Sequence, residues 1–299
     1  MKNPLNLVVA IFLCFTFLLI ESLPVQASAS NQAELIRQVK LLKKSKLAGG
    51  YKASEVVTVR LLGNEMPETF TIYERGVGLK DVVYRAQTYQ KKAKQWKTIY
   101  KRFSYDQQGL SFVFDKGKLL DNELEHLVVG PAFGSGGIII PEVVGSLDGK
   151  HVKRLLAPNK SYAFGQVVIK NNTLYAGTAS IVYDTYRFED KRWKHRIGNG
   201  QDDRDLAGKV TKLLKLNRTG KQGYFSTSRH VSLKKGDTFA IVRENPKDES
   251  QHLYRTLRSG PSKIDWNGYH HIALKAGNET WDFQEYNYGL QTKLYFKIR

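Results

Sequence analysis

From Tyr51 onward the chain places β-branched and aromatic residues at alternate positions in short runs, and this period of two restricts what it can fold into. Val57–Leu61, Thr69–Tyr73, Val82–Ala86, Lys97–Tyr100 and Leu110–Phe114 read as strands. So do Leu127–Val129, Ile138–Ile140, Val143–Val144, Gln166–Ile169, Thr173–Tyr175 and Ser180–Tyr183. Gly, Asp and Asn turns separate them. The pattern predicts a mostly β chain with an antiparallel region, propeller-like or sandwich. Further on, Gly223–Ser226, Val231–Leu233 and Thr238–Val242 frame a Lys234-Lys235-Gly236-Asp237 turn, and Thr292–Ile298 alternates strictly. These predict a second, smaller β domain.

One helix is expected before the strands, over Asn31–Leu47. Leu35, Ile36, Val39 and Leu42 recur at helical spacing. Asn31 and Glu34 have the spacing of a capping box, and Gly49-Gly50 is the expected stop. Ahead of it lies a leader. Lys2 is basic, and Leu7–Ile20 is apolar apart from Cys14 and Thr16. Val25 and Ala27 then fit the small-x-small pattern of a signal-peptidase site. A spanning helix needs ~20 apolar residues, more than this run supplies. Leu13 before Cys14 does not fit lipid attachment. The reading is a signal peptide over residues 1–27 and a mature protein that acts outside the cytoplasm, retained at a Gram-positive cell wall.

Cys14 is the single cysteine, so the mature chain can form no disulfide and has no thiol nucleophile or thiolate ligand. Burial alone must stabilise it, and the chain is long enough for one large or two ordinary domains. The formal charge is +19, and the leader contributes nothing because Lys2 and Glu21 cancel. Such a charge favours polyanions and says nothing about fold. Outside the cell these are teichoic acids, anionic lipid headgroups and extracellular DNA; intracellular nucleic acid is not an expected partner.

Gln201–Gly208 is polar and acid-rich, and marks the expected boundary between a β-rich region, 51–200, and a C-terminal domain, 209–299. Residues 203–217 fit either a helix or a strand. A loose echo links Tyr89–Lys97 with Tyr186–Lys194: each has a strand, a polar turn and a Trp that opens the returning strand. The densest basic clusters fall there. Lys91, Lys92, Lys94 and Lys97 flank Trp96, and Lys191, Arg192, Lys194 and Arg196 flank Trp193. They are the candidate polyanion contacts, as one joint patch or as two separate solvated turns.

Leu127-Val128-Val129-Gly130, Gly134-Ser135-Gly136-Gly137 and Val143–Lys150 resemble the FG-GAP/VCBS-type repeat region of secreted bacilli proteins, and Leu174–Trp193 resembles its closing hairpin. The resemblance spans roughly Tyr51–Lys194. It implies a β scaffold for adhesion or binding, usually without catalysis. Such repeats carry a calcium loop rich in Asp. The matching stretch here, Asp115–Asp121, has two lysines and only two acids. Calcium takes 6–8 oxygen ligands, so no metal and no cofactor is expected.

Other constellations carry weaker chemistry. Gly134-Ser135-Gly136-Gly137 lacks the acid of a protease nucleophile loop, and His126 lies too close in sequence for a triad base. His270 and His271, with His252, suggest a metal, but neighbours on a strand face opposite sides. Trp266, Tyr269 and Trp281, with Tyr286 and Tyr288 nearby, are candidate ligand-stacking residues or simple packing. Asp202, Asp203 and Asp205 are either paired carboxylates for glycoside chemistry or a solvated turn or helix start. Three functions follow: a non-enzymatic envelope-associated binder of anionic wall polymer or membrane, a secreted hydrolase of wall polysaccharide, or a partner of another secreted protein.

Overall fold

A computed structural model describes residues 29–299, apart from 78, 108, 134–137, 159, 164, 179–180, 220–221, 226–228, 245–252, 258–261, 268 and 286–290. The leader, the Ser135 loop, His252, Tyr286 and Tyr288 lie outside the described residues. The chain is mostly β, with a short helix near its N-terminus. Its contacts divide into two compact units: Met1–Gln107 with Gly145–Lys153, and Gln108–Val144 with Arg154–Arg299.

In the first unit, helix α1 (Ala29–Lys43) precedes five strands: β1 (Lys46–Leu47), β2 (Tyr51–Val59), β3 (Glu68–Arg75), β4 (Lys80–Gln90) and β5 (Gln95–Gln107). They form one antiparallel sheet in chain order, so β5 is an edge. Leu35 of α1 packs with Met66 and Tyr89, and Val39 and Trp96 join them. Ile36, expected on the buried stripe, is exposed. Gln38 is buried instead, and its amide donates to Glu34 at 2.7 Å. Asn31 lies inside the helix, and Glu34 bonds to Arg37, Gln38 and Tyr89 rather than closing a capping box. The helix ends before the glycines. Gly49 and Gly50, at φ 79° and 83°, turn the β1–β2 hairpin, a conformation that side chains with a Cβ resist.

The second unit begins with β6 (Leu110–Gly117), β7 (His126–Phe133), β8 (Ile138–Ile139), β9 (Glu142–Gly145), β10 (Lys153–Leu156) and β11 (Tyr162–Ala163), which form a sheet around β7. A meander follows: β12 (Gln166–Lys170), β13 (Thr173–Thr178), β14 (Ile181–Glu189) and β15 (Arg192–Ile197). Asn171 and Asn172, at φ 48° and 55°, make the tight turn between β12 and β13. Helix α2 (Gly200–Ala207) follows β15.

The remaining strands are β16 (Lys212–Thr219), β17 (Gln222–Phe225), β18 (His230–Leu233), β19 (Thr238–Arg243), β20 (Leu253–Leu257), β21 (Ile264–Trp266), β22 (His271–Ala273), β23 (Gly277–Glu285) and β24 (Gln291–Ile298). They make two sheets, ordered β17-β16-β19-β22-β21 and β18-β24-β23-β20. The β16–β19 and β18–β24 pairs are parallel. β24 alternates as its sequence requires: Leu294, Phe296 and Ile298 are buried while Tyr295 and Lys297 face out.

One hydrophobic cluster runs through this whole unit, from Leu119 and Val128 through Leu174 and Ile181 to Trp281 and Ile298. The stretch 201–208 therefore does not separate two domains. It is a helix packed into the second unit, followed by a strand, which resolves the ambiguity over 203–217.

Candidate functional site

β4 and β5 pair down to Gln90↔Gln95, leaving Lys91–Lys94 as the turn, with Lys94 at φ 51°. Trp96 sits across from Tyr89, ring centroids 5.2 Å apart, and this pair anchors the tip against Leu35 and Met66. Anchored indole and exposed lysines thus alternate. Lys91, Lys92, Lys94 and Lys97 are all exposed. Across the strands, Lys97 faces Thr88 and Lys101 faces Arg85. Residues 90–105 contain six cations (Lys91, Lys92, Lys94, Lys97, Lys101, Arg102) and no acid.

The second basic hairpin is built differently. Asp190 and Lys191, at φ 53° and 60°, form a two-residue turn of the type that matches strand twist. Trp193 pairs with Phe188, rings 5.5 Å apart, and packs on the core. Lys194 reaches Asp190 at 2.5 Å and Glu189 at 3.4 Å, while Arg196 reaches the buried Asp202 at 2.5 Å. Half of this cluster is therefore engaged with acids, and Lys191 and Arg192 are its exposed charges that pair with no acid among the described residues. The two hairpins belong to different units, so the structure does not join them in one unit's surface.

Sequence reasoning missed a cluster on β14 and β15. Asp184 is buried; its Oδ1 accepts from Lys160 at 2.8 Å and pairs with His195, and its Oδ2 accepts from Tyr162 at 2.9 Å. The Tyr162 and Tyr186 hydroxyls meet at 3.1 Å, and Tyr186 stacks on His195. Burial opposes the Asp184 charge, but the bonds from Lys160, His195 and Tyr162 outweigh it and hold its carboxyl below the ordinary value. Burial pushes Tyr186 up to about 12. Both carboxylate oxygens are occupied, so Asp184 ties β11 to β14 and β15 and fixes the His195 ring. An Asp inside the apolar run Ile181–Tyr186 was the available signal, because such an acid needs partners.

Two of the three acids of 202–205 are structural. Asp202 accepts the Asn199 N–H at 2.8 Å while Asn199 accepts from Gln201 and Asp202, a full capping box. Asp203 is fully buried and takes a two-pronged contact from Arg243, Nε at 2.9 Å and Nη2 at 2.8 Å. It also accepts the N–H groups of Val182 and Arg243, at 2.8 and 2.9 Å. The helix-start alternative describes Asp202 and Asp203, and neither is a free catalytic carboxylate; Asp205 is exposed and accepts from the Gln201 amide at 2.8 Å.

Trp266, Tyr269 and Trp281 do not form an exposed platform. Trp281 is 0% exposed and sits among Phe239, Phe283 and Phe296, because its inward position on β23 faces the common core. His271 is within 4.8 Å of both Trp266 and Trp281. Tyr269 is partly exposed, with the Lys170 ammonium 5.1 Å from its ring centre. His271 is buried while His270 turns to the Ala207 carbonyl at 3.0 Å, so the two rings part as strand geometry requires. Among the described residues no group of three or more His, Asp or Glu is placed to hold a metal ion. No described helix is long and apolar enough to cross a membrane.

Asp115, from the stretch matched to a calcium loop, is half-buried and accepts the Ile169 N–H at 2.6 Å. Burial pushes its carboxyl up to about 6. The folded chain therefore holds this proton more tightly than the unfolded chain. Stability falls as pH rises from about 4 to about 6, then levels. Asp115→Asn is expected to remove that fall, worth about 1–2 kcal/mol at a half-exposed site. Urea denaturation at both ends of the range measures it, and an unchanged pH profile overturns the assignment.

Against this geometry, no protein-family model, curated protein or solved structure matches the chain.

Proposed function

We propose that this protein is a secreted, non-enzymatic binding protein of the cell envelope that holds an anionic wall polymer or anionic membrane surface through the β4–β5 hairpin. The observation that carries the reading is the acid-free, exposed lysine tip at Lys91–Lys97, fastened to the fold by Trp96. The second hairpin supports it less, since Lys194 and Arg196 already have acidic partners. Of the three acids considered for a wall hydrolase, Asp202 and Asp203 are spent on a helix cap and a buried ion pair, and Asp205 is exposed and accepts from Gln201.

Binding of this kind releases counterions, so log affinity falls linearly with log salt. The substitution Lys91→Gln/Lys92→Gln/Lys94→Gln/Lys97→Gln is expected to reduce that slope by about 0.7–0.9 per engaged lysine. Stability should stay within about 0.5 kcal/mol, because all four side chains are exposed. Lys191→Gln/Arg192→Gln should act more weakly. The mature protein is titrated onto purified walls and onto anionic vesicles over a salt series. Retention that ignores salt, or that the fourfold variant does not change, overturns the reading.

A further inference from the structure

The edge strand β5 carries more than charge. On the face that carries Lys101 it presents Phe103 and Tyr105, which are 42% and 66% exposed, while the register shift opposite Ala86/Gln87 turns Lys97 to the other face. Their rings lie parallel within 3°, with centroids 6.0 Å apart. Folding gains ~1.5–3 kcal/mol from burying a ring of this kind, and here two neighbours are left out together. Scattered single apolar side chains need no account, but a stacked exposed pair beside cations does. The Lys101 ammonium sits 4.6 Å from the Phe103 ring centre, and Arg85 lies across from Lys101.

Charge alone does not use the rings. A glycerol- or ribitol-phosphate chain offers phosphates and no flat face. A single-stranded nucleic acid offers both, and bases stack on aromatic side chains while lysines track the backbone. A duplex keeps its bases stacked on one another and hides their faces. β5 extends over 13 residues, on the order of 43 Å at a strand's rise, room for several nucleotides.

We infer that β5 binds extracellular single-stranded nucleic acid, with phosphates on Lys101, Arg85 and the lysines of the Lys91–Lys94 turn and bases on Phe103 and Tyr105. This rests on the reading of the same hairpin as a polyanion contact. Recognition is tolerant of sequence, because ring faces and ammonium groups do not distinguish one base from another.

The test is fluorescence anisotropy of the whole mature protein with a labelled thymidine oligonucleotide of about 15 residues, within the known site sizes. An abasic deoxyribose-phosphate strand of the same length and poly(glycerol phosphate) are the comparisons. The oligonucleotide is expected to bind about tenfold or more tighter than the abasic strand, as two stacking contacts provide. Phe103→Ala/Tyr105→Ala and Phe103→Leu/Tyr105→Leu should both erase that gap and leave abasic binding within about twofold. The leucine pair keeps apolar volume without a ring, and a thermal melt checks that each variant is folded. Equal affinity for the two strands, or an unchanged gap in the folded variants, overturns the inference while poly(glycerol phosphate) binding still supports the polyanion contact. Loss of all three ligands overturns both.

Discussion

Arg243→Met is expected to destabilise the second unit by about 3–5 kcal/mol, the cost of leaving a buried charge without its partner. Asp203 and Arg243 are 0% and 1% exposed at their side chains, and the guanidinium also donates to the carbonyls of Gly198 and Val182. Removing it strands a carboxylate and two backbone acceptors at once. Asp203→Asn/Arg243→Met removes both charges yet keeps an oxygen for the Val182 N–H, so it should recover part of the loss. Urea denaturation of the mature chain measures both variants. A single substitution that costs less than about 1 kcal/mol would mean the pair is replaceable by water, contrary to its burial.

Trp281→Ala is expected to cost about 3–5 kcal/mol, as for other large aromatic truncations in a core. The indole contacts Phe239 at 5.4 Å and Phe296 at 4.8 Å, and its Nε1 donates to Glu279 at 2.5 Å. A melting-temperature drop of roughly 6–20 °C corresponds to that loss in a unit of this size. The measurement separates two roles for Trp281. A ligand-stacking residue on the surface would leave the melt nearly unchanged and reduce binding; a core residue does the reverse.

The strands were legible because alternation is a local property. Within Thr292–Ile298, Leu294, Phe296 and Ile298 are buried as the alternation requires, and Val82–Ala86 lies inside β4. Partners distant in the chain were not legible. Asp202 and Asp203 read as a solvated turn or a helix start; the helix start holds, but the burial of Asp203 was hidden because nothing nearby reveals Arg243, 40 residues on. The same distance effect misplaced the domain boundary: a polar segment marks a linker only if no remote cation claims its acids. Gly49-Gly50 read as a helix stop because glycine marks several left-handed turns, and the two-residue strand β1 was too short to show which one. Within the candidate site, the lysines and Trp96 were visible as composition. The stacking of Phe103 on Tyr105 was not, since exposure of a strand face depends on what packs over it.

The nine residues Gly145–Lys153 cluster with the first unit although the chain on both sides of them belongs to the second. The polypeptide thus passes from one unit to the other three times, after Gln107, Val144 and Lys153. No single cut yields two complete halves. A recombinant fragment ending at Gln107 lacks part of its own body, and its complement carries that part as an internal segment without the unit it belongs to. Gene-level dissection must therefore excise or graft an internal loop, and a simple tandem fusion of two ancestors does not account for this threading.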